Sequence, residues 1–501
     1  MNVVQQKSMF FSSLRGKATI DFSNFIFTVA GEEYIEGTLP VSKFESWEKK
    51  RDHRWVKNKL QKCNHPRSCA SIVLFGNFLY LIGGYNGIRS TDSIERYDFL
   101  TNSWLDMKKL KKRRSSCDSV LVIDNNNRPQ IYVIGGVQDN TCVNEIEVYD
   151  INTNQIKTES FLSNGRSGCR CFYFNRQIYI FGGVNEDNGE EGSHLPILKY
   201  SLRDKTLTTL SSTYSKKSFG ACLYVSPLDK KLYLLLAGGS ETSLTSPPTK
   251  DVFIFDFERE TINSVETMNY PRAFFNLVYY QGDIYAFGGY DGKHIVETLE
   301  IFDIHRNRWY KYYGAIGMDL RYSYCGSHVV SMPHYRLIVE GQWQDNNVLD
   351  GHIMTRLKEK GENSGFNYNS WKEYSIFGEF KQGKRHGLFH SYLDNCKQTL
   401  YFDNDIPLSL KVKQYEDELK TLTDIPDELK CPISLQLFRH PVIISSGICY
   451  EEEEILNWLK TNSTDPMTRS PVEKKTVFPC LVVKNLVTKY LEKKKIEIPE
   501  F

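Results

Sequence analysis

The stretch KCPISLQLFRHPVIISSGICY, which begins at Lys430, contains two cysteines and a histidine, residue types that bind metal ions. A structural zinc site needs four thiolate or imidazole ligands, usually as two closely spaced pairs. Cys431 has Ser434 where a partner thiol would stand. Cys449 and Cys480 are isolated in the sequence. Because hydroxyl groups are poor zinc ligands, no four-ligand set can be drawn, and we expect neither a metal ion nor another cofactor.

The segment around these residues nevertheless has the pattern of a folded domain. Apolar runs surround Pro441 and Gly447, as in a loop followed by a hairpin. The sequence EEEEILNWLKTN predicts a short helix with Trp458 on its apolar face and an acidic first turn that suits the helix dipole. The sequence NLVTKYLEKKK predicts a second amphipathic helix. These elements would hold the loops that carry the polar residues.

Polar side chains stand where metal ligands are missing. Asp465 and Thr468 bracket DPMT at the place of a final ligand pair. Together with Ser434, Ser446 and nearby glutamates, they could join the two loops by hydrogen bonds, since a polar network is stable when its members are satisfied.

This pattern resembles the U-box, a domain shaped like the zinc-binding RING domain but without zinc, over residues 425–495. The matching residues are Ile425-Pro426, Cys431-Pro432-Ile433, Pro441-Val442, Ser446-Gly447, Tyr450, Ile455, Trp458-Leu459 and Asp465-Pro466-Met467-Thr468-Arg469. Two residues depart from the family pattern: His440 stands where Asp is usual, and Cys480 where Asn is usual.

The resemblance implies ubiquitin ligation by docking. U-box proteins recruit a ubiquitin-conjugating enzyme, and ubiquitin passes from the cysteine of that enzyme to a substrate lysine without a covalent intermediate on the ligase. By motif, Arg469 would donate hydrogen bonds to both the enzyme and ubiquitin, as the catalytic residue. The apolar groove for the conjugating enzyme would consist of Ile433, Leu435, Trp458 and Pro466.

A short apolar run that ends in Gly-Gly occurs five times in the first two thirds of the sequence. The copies are LYLIGGY (79–85), IYVIGGV (131–137), IYIFGGV (178–184), LLLAGGS (234–240) and IYAFGGY (284–290). A basic residue precedes each copy, namely Arg67, Arg114, Arg166, Lys217 and Arg272, and an aromatic residue follows, namely Tyr97, Tyr149, Tyr200, Phe255 and Phe302. A period of about 50 residues with strand-like runs predicts one four-stranded sheet per repeat, closed radially into a propeller.

These residues resemble kelch repeats, and the resemblance implies a mainly β fold with a kelch propeller over residues 10–360. Weaker copies, FIFTVAGE (25–32) and YRLIVEGQ (335–342), flank the five clear ones and leave six or seven blades open. The long loops 184–196 and 239–251 follow Gly-Gly and are candidates for binding a protein substrate. Some kelch proteins are copper oxidases, but no Tyr/His constellation for copper can be assembled here.

Two short segments separate the propeller from the U-box. Residues 361–405 contain FGEFKQGKRHGLFHSYLDN, which predicts a hairpin and looks like a single MORN motif. Residues 406–424 predict a connector helix with Val412, Tyr415, Leu419 and Leu422 on one face.

Composition excludes several classes of partner. The 501 residues carry a formal net charge of +2, which gives no reason to expect nucleic acid or an anionic membrane. No apolar run approaches the roughly 18 residues of a membrane-spanning helix, so no stable membrane anchor is expected. The 12 cysteines include no CxxC pair, which favours a reducing, cytoplasmic environment.

The sequence therefore predicts a single-chain ubiquitin ligase, in which the propeller selects a protein substrate and a small α+β U-box recruits the conjugating enzyme. The alternative is a kelch scaffold whose U-box is inactive and serves only in protein interaction.

Overall fold

The structure, a computed structural model, describes residues 16–21, 25–29, 32–34, 38–40, 44–49, 55–312, 328–331, 335–343, 349–359, 373–381, 384–393, 396–403, 405–408, 418, 419, 422 and 424–496, with short gaps at 125, 186–194, 242–245, 281, 295, 297, 473–476 and 495. The chain divides into two compact units, Met1–Pro407 and Leu408–Phe501. No helix within these described ranges is long and apolar enough to cross a membrane.

The first unit is built from β-strands. Its first strands are β1 (Gly16–Asp21), β2 (Phe25–Val29), β3 (Glu32–Tyr34), β4 (Thr38–Pro40), β5 (Phe44–Lys49) and β6 (Trp55–Lys59). Next come β7 (Ser71–Phe75), β8 (Phe78–Ile82), β9 (Ile94–Asp98), β10 (Ser103–Asp106), β11 (Asp118–Ile123), β12 (Pro129–Ile134), β13 (Val137–Gln138), β14 (Thr141–Cys142), β15 (Glu145–Asp150) and β16 (Gln155–Phe161). The following strands are β17 (Ser167–Phe174), β18 (Gln177–Val184), β19 (Pro196–Ser201), β20 (Leu207–Thr213), β21 (Gly220–Val225), β22 (Leu232–Ala237), β23 (Val252–Asp256), β24 (Thr261–Ser264), β25 (Asn276–Tyr280), β26 (Asp283–Phe287), β27 (Leu299–Asp303) and β28 (Arg308–Tyr312). The unit ends with β29 (His328–Ser331), β30 (Tyr335–Trp343), β31 (Leu349–Glu359), β32 (Glu373–Lys381), β33 (Lys384–Leu393), β34 (Cys396–Asp403) and β35 (Ile406–Leu408).

Each of the five clear repeats forms one antiparallel sheet of four strands, as its period predicts. A sixth sheet has the order β29-β2-β5-β6 and joins the two ends of the repeat region. Phe27 of β2 lies opposite Val330 of β29 in this sheet. The two flanking segments therefore share one sheet, and the described residues contain six four-stranded sheets.

The Gly-Gly pairs connect neighbouring sheets. The first glycine has φ +60° at Gly83, and a Cβ there would lie 2.5 Å from the main-chain oxygen of Arg114. The amide of Gly84 donates to the same Arg114 carbonyl at 2.8 Å. A side chain at this point would therefore both strain the backbone and separate the two sheets.

The repeated basic residues are buried and bind within their own sheet. The guanidinium of Arg67 donates to the Gly83 carbonyl at 3.0 Å and forms a fully buried ion pair with Glu95. Equivalent pairs join Arg114 to Glu147 and Arg272 to Glu300. A buried charge needs such a partner, so Arg and Glu act together to hold the sheet at its Gly-Gly end.

One repeat departs from the predicted alignment. Lys217 is wrong as the repeated basic residue, because the Lys216 carbonyl accepts the Gly183 amide at 2.9 Å, as Arg114 does for Gly84. The Lys216 ammonium is nearly buried and lies 3.2 Å from a carboxylate oxygen of Asp251.

Aromatic side chains fill the space around these sheets. Trp104 packs against Tyr97 at 5.2 Å between ring centroids, and Phe44 of the sixth sheet lies 4.5 Å from the Tyr97 ring. Trp309 and Phe302 repeat the first contact at 5.2 Å. The repeated aromatic residues Tyr97 and Phe302 therefore serve to pack against neighbouring aromatic side chains.

The last weak repeat is not a blade. Residues 335–343 form β30, which pairs with β1 and belongs to a seven-stranded sheet of order β1-β30-β31-β32-β33-β34-β35. The end of the predicted propeller at residue 360 is therefore wrong, because β30 and β31 lie in this sheet. The predicted hairpin is present as β32 and β33, with Lys381 opposite Lys384.

Arg385 of β33 ties the seven-stranded sheet to the repeats. Its buried guanidinium lies 2.7 Å from Asp98 of β9 and 3.0 Å from Asp405. Phe389 and Phe402 join the same hydrophobic cluster as the strands of the first clear repeat. The hairpin segment is thus an integral part of the first unit.

The predicted connector begins too early. Residues 406–408 belong to β35, so a helix does not start at 406. Val412 and Tyr415 lie outside the described residues. Leu419 and Leu422 are half-buried and pack against the core of the second unit.

The second unit is small and mixed. It contains a short 3-10 helix (Asp427–Leu429), β36 (Pro441–Ile443), β37 (Cys449–Glu451), α1 (Glu452–Thr461), β38 (Phe478–Pro479) and α2 (Leu481–Lys493). The three strands have the order β37-β36-β38. Both predicted helices are present, and Ile455, Leu459, Val487 and Leu491 are buried in its core.

Candidate partner-binding site in the C-terminal unit

Asp465 is the centre of a hydrogen-bond network that joins the loop 464–470 to Ser446, in the turn between β36 and β37, and to Tyr450 of β37. Its side chain is fully buried. One carboxylate oxygen accepts from the Tyr450 hydroxyl at 2.8 Å, and the other accepts from the Ser446 hydroxyl at 2.5 Å. The amides of Met467 and Thr468 donate to the first oxygen at 2.7 and 2.8 Å. Hydrogen bonds therefore occupy the position where a metal ligand would stand.

The network keeps Asp465 ionised. Burial alone would raise the pKa of this carboxyl group, but the hydrogen bonds that it accepts outweigh that effect and lower its pKa below the usual value. Donors that point at a carboxylate stabilise its charged form. The loop is thus held by a charged acceptor.

A second loop, residues 431–440, is fixed by Cys431 and Glu451. The buried Cys431 sulfur accepts the Glu451 amide at 3.3 Å. The Glu451 carboxylate accepts the amides of Arg439 and His440, each at 2.8 Å. Ser434, predicted to join this network, makes none of the hydrogen bonds found among the described residues.

Tyr450 and Glu451 are consecutive residues of β37, and each anchors a different loop. Alternate side chains of a strand point to opposite sides, so one short strand can hold both loops. Within the described part of this unit, no three potential metal ligands come close together.

Leu435 and Met467 are the most exposed apolar side chains on the two loops, at 71% and 57%. Leu435 has φ +58°, and its amide donates to the Cys431 carbonyl at 2.8 Å. A left-handed conformation at a leucine is costly and persists only where surrounding contacts impose it. The loop therefore presents Leu435 in a fixed orientation towards solvent.

Trp458 and Arg469 lie together between α1 and the second loop. The Trp458 ring nitrogen donates to the Thr464 carbonyl at 2.7 Å, which fixes the half-buried ring against the start of the loop. The Arg469 guanidinium carbon lies 5.6 Å from the ring centre, as in a cation–π contact. Arg469 is exposed, so its donors face solvent.

Ile433 and Pro466 are half-buried, one on each loop. Ile433 packs against the same hydrophobic core as Trp458. The structure therefore brings Trp458 and Arg469 into contact and places Ile433 on their core, while Leu435 projects from the other loop.

Sequence reasoning missed two residues of this region. Met467 was part of the recognised motif, but its exposure was not anticipated. Tyr450 was matched as a family residue without a role, and its hydroxyl is a buried donor to Asp465. The resemblance to the U-box motif includes both Tyr450 and Asp465, but nothing in their spacing of fifteen residues indicates that the two side chains meet.

A second candidate site lies in the first unit, where five sheets converge. An open cavity of about 50 Å³ is lined by Cys69, Ala70, Ser116, Cys117, Gly168, Cys169, Arg170, Ser218, Phe274 and Phe275. Main-chain hydrogen bonds run from sheet to sheet along its wall, such as Ser116 amide to Cys69 carbonyl at 2.8 Å. In the predicted binding loops 184–196 and 239–251, residues 186–194 and 242–245 lie outside the described residues.

Three family models match the chain. The model of the U-box domain matches residues 425–496, that of the Attractin/LZTR1 beta-propeller residues 26–246, and that of the Kelch motif residues 271–312. The chain therefore has a β-propeller with kelch repeats, followed by a U-box domain.

Curated relatives match one part or the other. Over 72 residues the chain is 44% identical to E3 ubiquitin-protein ligase CHIP of Arabidopsis thaliana, covering 14% of this chain and 26% of that protein. It is 43% identical over 77 residues to U-box domain-containing protein 12 of Oryza sativa subsp. japonica, covering 15% and 13%. It is 22% identical over 312 residues to Kelch-like protein 36 of Mus musculus, covering 59% and 48%. The matches thus span about half or less of each relative.

Proposed function

We propose that this protein is a ubiquitin-protein ligase that acts by docking. The observation that carries the proposal is the surface formed by the two U-box loops, with Leu435 and Met467 exposed and Arg469 stacked on Trp458. Exposed apolar side chains held in fixed positions suit a protein-binding surface. The resemblance to U-box ligases supports a ubiquitin-conjugating enzyme as the partner.

In this function, Ile433, Leu435, Trp458 and Pro466 bind the conjugating enzyme. Leu435 provides an exposed anchor, and Ile433 and Trp458 extend the apolar surface down to the core of the domain. The Thr464 hydrogen bond and the Asp465 network keep the second loop, with Pro466, in position.

Arg469 acts on the transfer step. Its side chain is planar and carries several donors, so it suits a bridge between the enzyme and ubiquitin. The U-box supplies no nucleophile, because the thioester cysteine belongs to the conjugating enzyme. The contribution of the U-box is to restrict the thioester conjugate to an arrangement that a substrate lysine can attack.

The propeller binds the protein substrate in this proposal. Buried Arg–Glu pairs hold each sheet, and Gly-Gly contacts connect neighbouring sheets, which gives a rigid support for variable loops. A fluorescent fusion checks the cytoplasmic location that the cysteine usage predicts.

The decisive experiment combines affinity and activity on the full chain. Binding of conjugating enzymes is measured by calorimetry, and autoubiquitination is followed with ubiquitin, activating enzyme and ATP. Ile433→Ala and Leu435→Ala are expected to weaken binding and activity together. Arg469→Ala is expected to leave binding within about threefold of the parent while abolishing most chain formation.

Leu481→Ala is the matched control, since Leu481 is 65% exposed and lies at the start of α2, outside the two loops. It should retain parental binding and activity. If a broad panel of conjugating enzymes neither binds nor supports autoubiquitination, the ligase proposal fails and the scaffold alternative takes its place.

A further inference from the structure

Two cysteines of the U-box are in direct contact. The Sγ atoms of Cys449 and Cys480 lie 2.7 Å apart, although the residues are 31 positions apart in the sequence. A disulfide bond is about 2.05 Å long, so the sulfur atoms need to approach by less than about 1 Å to reach bonding distance. Both side chains are half-buried and thus open to a small reagent.

The two cysteines lie at structurally important points. Cys449 is the first residue of β37, which leads into α1. Cys480 is the N-cap of α2, and its amide donates to the Pro441 carbonyl of β36 at 2.8 Å. A bond between them would join the strand that precedes one helix to the first turn of the other. Neither residue belongs to the Asp465 network or to the proposed docking surface.

We propose that Cys449 and Cys480 form an oxidant-dependent disulfide that locks the folded U-box. With hydrogen peroxide as oxidant, the Cys480 sulfur attacks one peroxide oxygen, gives a sulfenic acid and releases water. The Cys449 sulfur then attacks the sulfenic sulfur, and a second water leaves. Two thiols lose two protons and two electrons in total, and one peroxide is reduced to two waters.

The surroundings explain this order of attack. The Cys449 thiol donates its hydrogen to the Cys480 sulfur. Burial, together with this contact, raises the pKa of Cys449 to about 12. Cys449 therefore keeps its proton in the reduced protein and acts second, as the resolving thiol.

Because the bond closes a loop between β37 and α2, it restricts the unfolded chain and stabilises the folded domain. We expect oxidation to raise the unfolding midpoint of the U-box by about 5 °C or more. Reduction with dithiothreitol should reverse the increase.

The test uses the full chain treated with hydrogen peroxide, quenched with catalase and alkylated with N-ethylmaleimide. Non-reducing tryptic digestion should give peptides 440–460 and 476–484 as one linked species, which separates on reduction. Mixing chains labelled with nitrogen-15 and unlabelled chains distinguishes a link within one chain from a link between two, because the latter gives hybrid masses.

Cys480→Asn is the principal control, since Asn is usual at this position in the U-box family and removes the thiol without loss of bulk. Cys69→Ser removes a half-exposed thiol of the first unit and should still allow the link. The proposal is supported if the link forms within one chain and the midpoint rises in the parent and in Cys69→Ser, but not in Cys480→Asn. Alkylation of both thiols after peroxide treatment, predominantly hybrid links, or a linked domain with an unchanged midpoint would each overturn it.

Discussion

Replacing Asp465 by alanine should destabilise the U-box more than any other single polar substitution in its loops. The change removes an acceptor that serves Tyr450, Ser446 and two main-chain amides. The Tyr450 side chain is fully buried, so water cannot replace its lost partner. An unsatisfied buried donor costs about 1–3 kcal/mol.

The other three donors, the Ser446 hydroxyl and the amides of Met467 and Thr468, belong to exposed residues and can form hydrogen bonds with water instead. The loss of their hydrogen bonds to Asp465 therefore costs roughly 1 kcal/mol in total. The expected loss is therefore about 2–4 kcal/mol, or about 10–25 °C in the unfolding midpoint of a domain of this size. Asp465→Asn keeps an acceptor oxygen for Tyr450 and should cost only about 1 kcal/mol.

Hydrogen exchange read from peptide 440–460 of the full chain measures this effect locally, apart from the propeller. Protection should fall strongly in Asp465→Ala and slightly in Asp465→Asn, while peptides of the first unit stay unchanged. Equal protection in the parent and in Asp465→Ala would show that Asp465 does not stabilise the link between the loop 464–470 and the β36–β37 turn.

Three further predictions concern charge. Because the pKa of Asp465 is lowered in the folded state, the stability that this residue contributes is present above the unfolded pKa of about 3.9 and is lost as the pH falls through the folded pKa. Hydrogen exchange of peptide 440–460, measured between pH 3 and 7, should show this dependence. The variant Asp465→Asn should reduce it. Arg67→Ala leaves Glu95 buried without its partner and should cost the propeller about 3–5 kcal/mol, seen as a lower urea midpoint, whereas Lys231→Ala, at an exposed ion pair, should leave that midpoint unchanged. Arg385→Ala should reduce exchange protection in β33 and β9 together, and loss in β33 alone would argue against the proposed link to Asp98.

The repeat architecture was predictable because the same motif occurs five times in the sequence. Gly-Gly, a basic residue and an aromatic residue recur at similar offsets, and each has a local physical reason to be there. Among the five clear repeats, the predicted basic residue is wrong only in the fourth, where Lys216 takes the place of the adjacent Lys217. The sequence cannot distinguish two neighbouring lysines, because the distinction depends on which of their carbonyls accepts the Gly183 amide.

Contacts between distant parts of the sequence could not be predicted. The pairing of Phe27 with Val330 closes the sixth sheet, and Arg385 pairs with Asp98 across 287 positions. A local sequence pattern does not indicate which distant segment a strand will pair with in the folded protein. The glutamates that pair with the repeated arginines did leave a signal, since Glu95, Glu147 and Glu300 each stand two residues before the repeated aromatic residue.

In the U-box, the sequence identified the candidate surface residues by motif, and their roles remain predictions. The hydrogen-bond substitute for zinc was correctly expected at Asp465 and Ser446, since those residues stand in loops that need a link. The sequence does not predict that Tyr450 donates a hydrogen bond to Asp465, because packing alone usually accounts for a buried tyrosine in a strand. The contact between Cys449 and Cys480 depends on how β37 and α2 meet, which the sequence does not specify.

The proposed function requires that a U-box held without metal speeds ubiquitin transfer from a bound conjugating enzyme. Single-turnover discharge of ubiquitin from a preloaded conjugating enzyme to free lysine, with a chelator present throughout, tests it directly. The full chain and Leu481→Ala should accelerate discharge at least about tenfold over the enzyme alone, and Leu435→Ala and Arg469→Ala should lose most of that acceleration. Acceleration that the chelator abolishes would show that the U-box depends on a metal ion. Acceleration that survives in Leu435→Ala and Arg469→Ala would show that these residues do not form the docking surface.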